Sequence, residues 1–221
     1  MGYSISIMLA IFLTVCAIDV FRHLHRDLRQ FDPAAIAKLE TKMWRSYYEQ
    51  ERVRLFLELA EMLRTQSQFP FLRSYVGAYC GTLAAFLFKN GEKRADYEKV
   101  LPVLQIFFGM IRNTGRVDFD ARRAAVLELD WWIVHRDRAF YPSGALVRAC
   151  AKACAFVYQI PVDSALVHGE LRTTAMIFRD MRADSGFVTE ADWTYIESLL
   201  RLSYQSLRGA LVDTVVNPMP P

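Results

Sequence analysis

Ionisable side chains stand inside an apolar run in the segment AAVLELDWWIVH, which contains Glu128, Asp130 and His135. Carboxylates and imidazoles bind metal ions and act as general acids and bases, so this polar cluster is the first candidate site. Glu128 and His135 share one face of a predicted helix, but about 10 Å separates them along its axis. A metal ion with bonds of about 2 Å would need ligands from other helices. We favour a half-buried helix whose acidic side chains pair with nearby arginines, namely Arg122, Arg123 or Arg136.

Two cysteines and a histidine are the next candidates. Cys150 and Cys154 share one helix face at a spacing of four residues, as two metal ligands would. Alanines surround them in the sequence, and this composition favours a tightly packed helix contact instead. His168 lies on one stripe with Arg172 and Arg179, which favours the solvated side of its helix.

Sequence motifs of the common catalytic and cofactor sites are absent. There is no Glu-x-x-His or His-Glu-x-x-His metal motif, no Cys-x-x-Cys pair, no Gly-rich phosphate loop and no Gly-x-Ser-x-Gly elbow. The net charge is +3, and basic and acidic residues alternate after residue 30, which argues against nucleic-acid binding. We therefore predict no catalytic residue, no metal site and no cofactor.

The N-terminal stretch from Tyr3 to Phe21 is apolar, and Asp19 is its one side chain that is normally charged at neutral pH. As a helix rising about 1.5 Å per residue it reaches roughly 28 Å, close to the thickness of a bilayer core. We predict a single transmembrane helix. The alternatives are a buried helix of a soluble protein and a cleaved signal peptide, although no basic residue precedes the run and no small-residue cleavage site follows it.

A basic cluster follows this stretch directly. Positive charge collects on the cytoplasmic side of membranes, so the cluster predicts an N-terminus outside and a helical domain in the cytoplasm. The histidines could ligate a macrocycle such as haem at the membrane edge or meet lipid phosphates, but a polar flank needs no ligand. The predicted contacts with lipid headgroups or a partner are Asp19, Arg22, His23, His25, Arg26 and Arg29.

The rest of the chain predicts an all-α domain. Apolar residues make up 53 % of the sequence and charged residues 23 %, which suits one sizeable core. No stretch alternates between apolar and polar residues as a strand does, whereas capping signals such as Asp32-Pro33 recur. We predict an anchor with its basic flank over 1–31, a compact domain of about seven helices over 32–212, and a Pro-rich tail over 213–221. The first helix of the domain is expected to run from about Pro33 to Gln66.

Small residues mark one face of the next predicted helix. Gly77, Gly81 and Ala85 recur at steps of four residues, a spacing that lets a neighbouring helix approach closely. The segment from Ser74 to Phe88 carries no charge, but it is short for a membrane crossing and basic residues bound it on both sides. We predict a core helix that a neighbour crosses tightly.

Location is thus the main functional information in the sequence. The leading hypothesis is a non-catalytic, single-pass accessory subunit that contacts membrane lipids and docks on other subunits of a larger membrane protein complex. One alternative is a membrane-tethered enzyme or carrier that binds a metal or an apolar ligand between helices. A second is a soluble helical regulatory protein whose first helix is buried.

Overall fold

The computed structural model describes the backbone of residues 2–216 and the side chains of residues 6–213. Within these limits the protein is all-helical, apart from one isolated bridge between Arg26 and Gly115, so the predicted all-α class is confirmed. Residues 217–221 of the predicted tail lie outside the described residues.

The described chain forms ten α-helices and three short 3₁₀ turns. The turns are Glu98–Val100, Arg138–Phe140 and Asp163–Ala165. The helices are α1 (Gly2–Phe21), α2 (Pro33–Tyr48), α3 (Arg52–Thr65), α4 (Phe71–Lys89), α5 (Arg94–Tyr97), α6 (Leu101–Thr114), α7 (Ala121–Arg136), α8 (Ala145–Tyr158), α9 (Leu166–Asp184) and α10 (Glu190–Val216).

Local capping signals place several of the helix starts. The side chain of Asp32 accepts a hydrogen bond of 2.9 Å from the backbone N–H of Ala34 at the start of α2. At the start of α10, Asp192 accepts from the N–H of Thr189 at 2.8 Å, and Thr189 Oγ1 accepts from the N–H of Asp192 at 3.2 Å. This reciprocal arrangement is the predicted capping box, with aspartate in the usual place of glutamate.

The single helix expected from Pro33 to Gln66 is wrong, because the chain breaks it into α2 and α3. Gln50 lies between the two helices in the left-handed region, with a φ of 63°. The Nζ of Lys89 donates to the carbonyl oxygens of Tyr47 at 2.7 Å and Tyr48 at 3.3 Å, which satisfies the end of α2. No glycine or proline marks this break, so residue type alone does not predict it.

Eight of the helices form a closed ring. In the order α2, α3, α4, α6, α7, α8, α9 and α10, each helix packs against the next, and α10 packs back against α2. The single turn of α5 lies in the connection between α4 and α6. The ring therefore has an interior that all eight helices face.

Gly169 lies at a close approach between the backbones of two ring helices, α8 and α9. A Cβ on this residue would lie 2.5 Å from the carbonyl oxygen of Val147 and 3.1 Å from the backbone N of Ala151. Backbone atoms cannot move aside as the tip of a side chain can, so α9 and α8 need a glycine here.

The small-residue face of α4 is arranged differently. A Cβ on Gly81 would lie 2.5 Å from Cδ2 of Leu59, and one on Gly77 would lie 3.0 Å from Cδ1 of Leu63. This face thus receives leucine side chains of α3 rather than another backbone. Gly81 and Ala85 also lie on the interior of the ring.

In the described part of the chain, one helix is long and apolar enough to cross a membrane, namely Phe71–Lys89. A second would be counted if Ala145–Tyr158 and Asp163–Asp184, which meet at 113°, formed one broken span. The first of these helices is 44 % buried, as the core helix of a soluble protein also is. Over its described side chains α1 is a shorter apolar helix, Ser6–Phe21, so the N-terminal span remains a prediction.

Candidate ligand-binding cavity

The ring encloses a cavity of about 400 Å³. This volume lies within the range of small-molecule sites in proteins. Every residue that lines the cavity is buried or half-buried, so the space lies between the helices of the ring. Each ring helix contributes to the lining, for example through Trp44 of α2, Leu59 of α3, Gly81 of α4, Phe107 of α6, Trp131 of α7, Cys154 of α8, Arg172 of α9 and Tyr204 of α10.

A buried ion pair between Glu40 of α2 and Arg172 of α9 lies on the cavity wall. The guanidinium Nη2 of Arg172 is 2.5 Å from Oε1 of Glu40. Oε2 of Glu40 accepts a hydrogen bond of 2.5 Å from the hydroxyl of Tyr204. Burial alone would raise the pKa of Glu40, but the charge of Arg172 and the hydrogen bonds from Arg172 and Tyr204 together hold this pKa below its usual value. Both charged forms are therefore stable inside the ring.

Indole rings surround this ion pair. The Nε1 of Trp44 donates to Oε1 of Glu40 at 3.1 Å, because the two residues are one turn apart on α2. The guanidinium carbon of Arg172 lies 5.5 Å from the ring centroid of Trp44 and 5.4 Å from that of Trp131, within the range of cation–π contacts. The pair thus holds α2, α7 and α9 together across the interior.

Glu128 is the second carboxylate on the cavity wall. Its Oε1 accepts a hydrogen bond of 3.0 Å from Nε1 of Trp132, one turn along α7. Burial raises the pKa of Glu128, and the hydrogen bonds from Trp131 and Trp132 only partly oppose this effect. Among the residues that the structure describes, Glu128 forms no ion pair. Its environment therefore shifts this pKa upward, toward the protonated carboxylic acid, although the charge of Arg172 also opposes the shift.

Of the other two members of the predicted polar cluster, His135 also lines the cavity, whereas Asp130 does not. Asp130 is half-buried on the outer side of α7, 4.0 Å from the guanidinium of Arg94. His135 lies 3.0 Å from Asp180 of α9. The structure does not bring Glu128, Asp130 and His135 into one site.

The arginine pairing expected for these acids is also not found. Arg122 and Arg123 are exposed at the start of α7, where their backbone N–H groups are capped by Asp120. Arg136 donates instead to the carbonyl oxygens of Phe88 at 3.0 Å and Gly91 at 2.9 Å, at the end of α4. Its positive charge there complements the helix dipole.

His168 is buried, which corrects the expectation that it faces solvent. Its side chain is only 4 % exposed and packs between α9 and α10. Nδ1 lies 3.1 Å from the carbonyl oxygen of Ser203, and the hydroxyl of Ser203 donates to the carbonyl oxygen of His168 at 2.9 Å. Burial, with the nearby charge of Arg172, lowers the pKa of His168 from 6.5 to about 4.

Acidification from pH 6.5 to pH 4 is expected to destabilise the protein through His168. The unfolded chain takes up a proton at this residue near pH 6.5, whereas the folded protein does so only near pH 4. The stabilisation is therefore fully present above pH 6.5 and is lost as the pH falls, by about 3 kcal/mol at most. Urea unfolding across this range measures it, with His168→Asn as the control, because an amide can donate to Ser203 without titrating. Parallel pH profiles for the two proteins would contradict the prediction.

Cys150 and Cys154 lie where α8 faces the interior. Cys150 is buried and Cys154 is half-buried, and both line the cavity. Burial raises the pKa of both thiols to about 12, so each is a neutral side chain at physiological pH. Among the described residues no group of three His, Cys, Asp or Glu side chains is placed to hold a metal ion.

Hydrogen bonds at a junction outside the ring fix the C-terminal end of α1. Oδ2 of Asp19 accepts a hydrogen bond of 2.6 Å from the N–H of Leu72, at the start of α4. Arg73 is completely buried and donates to the carbonyl oxygen of Asp19 at 3.1 Å, to Oγ1 of Thr114 at 2.8 Å and to the carbonyl oxygen of Arg22. Asp19 therefore caps the N-terminal end of α4, and α1 is held against α4 and α6.

The basic segment after α1 lies along the end of α6. The N–H of Arg26 donates to the carbonyl oxygen of Thr114 at 2.7 Å, and the N–H of Arg116 donates to that of Arg26 at 3.0 Å. The rings of His23 and His25 stack with centroids 6.2 Å apart. Arg29 is half-buried, whereas the other basic side chains of this segment are exposed, namely Arg22, His23, His25 and Arg26.

The cavity residues that sequence reasoning missed are Glu40, Arg172 and Tyr204. Their only local signal is the spacing of Glu40 and Trp44, which places an acid and an indole on one helix face. Arg172 lies on a stripe predicted to be solvated, because a charged side chain at helical spacing is usually exposed. Its partner, Glu40, lies in α2, which is distant from α9 along the chain.

Comparisons of the chain with protein-family models, with curated proteins and with solved structures gave no match.

Proposed function

We propose that this protein is a membrane-anchored, non-catalytic carrier that holds a small, largely apolar molecule inside its ring of helices. The observation that supports this proposal is the cavity of about 400 Å³ whose lining residues are all buried or half-buried. A space of this size between side chains forgoes packing contacts, and a bound apolar molecule would supply them. The proposal develops the sequence-based alternative of a carrier with an apolar ligand between its helices.

The chemistry of the lining favours binding over catalysis. Glu40 and Arg172 neutralise each other, and the side chains of Trp44 and Tyr204 occupy the carboxylate oxygens of Glu40. A nucleophile or a general base needs an activated form, whereas the high pKa of Cys154 keeps its thiol protonated. These groups suit the orientation of a ligand more than a reaction on it.

Cys154→Phe should narrow the cavity, so that a ligand that fills it can no longer bind. The phenyl ring has room in the interior, so the free energy of unfolding should change by less than about 1.5 kcal/mol. The full chain, purified in mild detergent, is extracted with organic solvent, and the extract is analysed by mass spectrometry. An apolar molecule should co-purify with the wild type and be lost from the variant.

Lys152→Phe is the matched control for this experiment, because Lys152 is exposed on the outer side of the same helix. This variant should retain the co-purifying molecule. An extract of the wild type that holds no more apolar material than that of Cys154→Phe would overturn the carrier proposal.

The proposed anchor is α1, with its N-terminus outside and the ring in the cytoplasm. Its described large apolar side chains are exposed, for example Met8 at 71 % and Phe12 at 63 %. An exposed apolar helix of this length is stable in lipid and unfavourable in water. The exposed basic residues Arg22 and Arg26 then lie at the cytoplasmic headgroup layer. Partitioning of the full chain into the soluble fraction without detergent would support the soluble alternative instead.

A second proposal, an accessory subunit that docks on a larger membrane protein complex, is supported by an apolar surface on α3 and α4. Val53 is 73 % exposed, Leu57 53 %, Phe71 59 % and Tyr79 62 %. Exposed apolar side chains on neighbouring helices are typical of protein interfaces, and Phe71 lies next to Leu72 at the junction with α1. Sizing after gentle detergent extraction tests it, since a protein that migrates alone as a monomer would count against a stable complex.

A further inference from the structure

The ion pair of Glu40 and Arg172 adds no net charge to the cavity wall. Arg172 lies 2.5 Å from Glu40, and Trp44 and Tyr204 donate two further hydrogen bonds to the carboxylate of Glu40. These groups satisfy one another. The guanidinium also lies near the indoles of Trp44 and Trp131, where the positive charge of a ligand would otherwise bind. A cationic ligand would be repelled by Arg172, and an anionic one would have to compete with Glu40.

Of the two carboxyl groups on the wall, Glu128 is the one that no cation of the described residues occupies. It lies beside the indoles of α7, its Oε1 accepts from Trp132, and it forms no ion pair among the described residues. A carboxyl group that is buried without a counter-ion is stable in its neutral form, and a neutral carboxyl group has a hydrogen to donate. Around it the lining is mainly aliphatic and aromatic, with Met43, Phe107 and Val157 among its members.

We propose that the ligand is an uncharged, largely apolar molecule with one hydrogen-bond acceptor, such as a hydroxyl or carbonyl oxygen, that accepts from Glu128. The inference rests on the proposed carrier function and specifies the chemical class of its ligand. The apolar body lies among the aromatic side chains, and a formal charge on the ligand is excluded by its cost of desolvation.

Three probes with one apolar body test this inference: adamantanemethanol, adamantanecarboxylate and adamantylmethylammonium. Three of the four tryptophans line the cavity, namely Trp44, Trp131 and Trp132, so tryptophan fluorescence of the full chain reports binding. The alcohol should bind at least tenfold more tightly than either ion. Cys154→Phe should abolish the response, which assigns the signal to the cavity and corrects for partitioning into detergent.

Two variants at Glu128 separate hydrogen bonding from packing. Glu128→Gln keeps an uncharged donor and should bind the alcohol within about threefold of the wild type. Glu128→Ala removes the donor and should weaken binding about tenfold, which is close to the contribution of one hydrogen bond.

Equal or tighter binding of the carboxylate or of the ammonium probe would overturn the inference, as would the absence of any response to the alcohol. In each case a small molecule that co-purifies with the wild type and not with Cys154→Phe would leave the carrier proposal intact. If nothing co-purifies but the alcohol alone binds, the ligand class stands and the claim of a resident cargo fails.

Discussion

Replacing Arg172 by methionine is expected to lower the free energy of unfolding by about 3–5 kcal/mol. The substitution keeps the apolar volume of the side chain but leaves the carboxylate of Glu40 buried without its counter-ion. Glu40 would then be held only by neutral donors, the indole of Trp44 and the hydroxyl of Tyr204. Burial would raise its pKa, so the loss of stability relative to the wild type should become smaller in acid, where Glu40 is protonated. Urea unfolding monitored by circular dichroism measures both effects.

The double variant Glu40→Gln with Arg172→Met is the matched control. It removes both charges and keeps an amide, whose oxygen can accept from Trp44 and whose NH₂ group can donate to the hydroxyl oxygen of Tyr204, so it should recover most of the lost stability. A single Arg172→Met variant that is as stable as the wild type would show that the ion pair does not hold the interior together. A double variant no more stable than the single one would assign the loss to packing of the arginine stem instead.

Gly169→Ala is expected to have the second largest effect, a loss of about 1–3 kcal/mol or more. The added methyl group would meet the carbonyl oxygen of Val147 at 2.5 Å, and relief requires α8 and α9 to separate. Separation would also disturb Cys150 and Arg172, which lie close by on the same two helices and line the cavity. Thermal unfolding should therefore show a lower midpoint, and binding of a cavity probe should weaken.

Gly209→Ala provides the comparison for this substitution. Gly209 lies within α10 and is exposed, and a methyl group added there would meet no atom within 4 Å. Alanine at this position should therefore stabilise the helix by about 0.5–1 kcal/mol. A loss of stability for Gly169→Ala together with a gain for Gly209→Ala would assign the loss at Gly169 to the contact between helices. A gain in stability at both positions would contradict the close approach.

The starts of helices were predictable because their signals are local. Asp32 before Pro33, and Thr189 three residues before Asp192, carry the donors and acceptors of the cap within one turn of chain. The break at Gln50 was not predictable, since it depends on Lys89 of another helix reaching the end of α2. Local chemistry therefore predicted the helices better than their interruptions.

The cavity was harder to predict from the sequence than the fold. Helical periodicity shows that a stripe is polar, but it does not show whether the stripe faces water or a buried partner. Arg172 and His168 lie on such a stripe, and their partners Glu40 and Ser203 belong to other helices. The close contact at Gly169 was missed for a related reason, because one glycine does not form a pattern, whereas the regular spacing of Gly77, Gly81 and Ala85 does.

Closure of the ring by α10 has a consequence for how the protein is made. Tyr204 and Glu40, which share a hydrogen bond, are 164 positions apart in the chain. During translation the first ring helices therefore leave the ribosome long before the helix that completes the wall. Until then the nascent chain exposes its aromatic interior, and such chains fold slowly and aggregate easily. We therefore expect this domain to depend on chaperones until α10 has been synthesised.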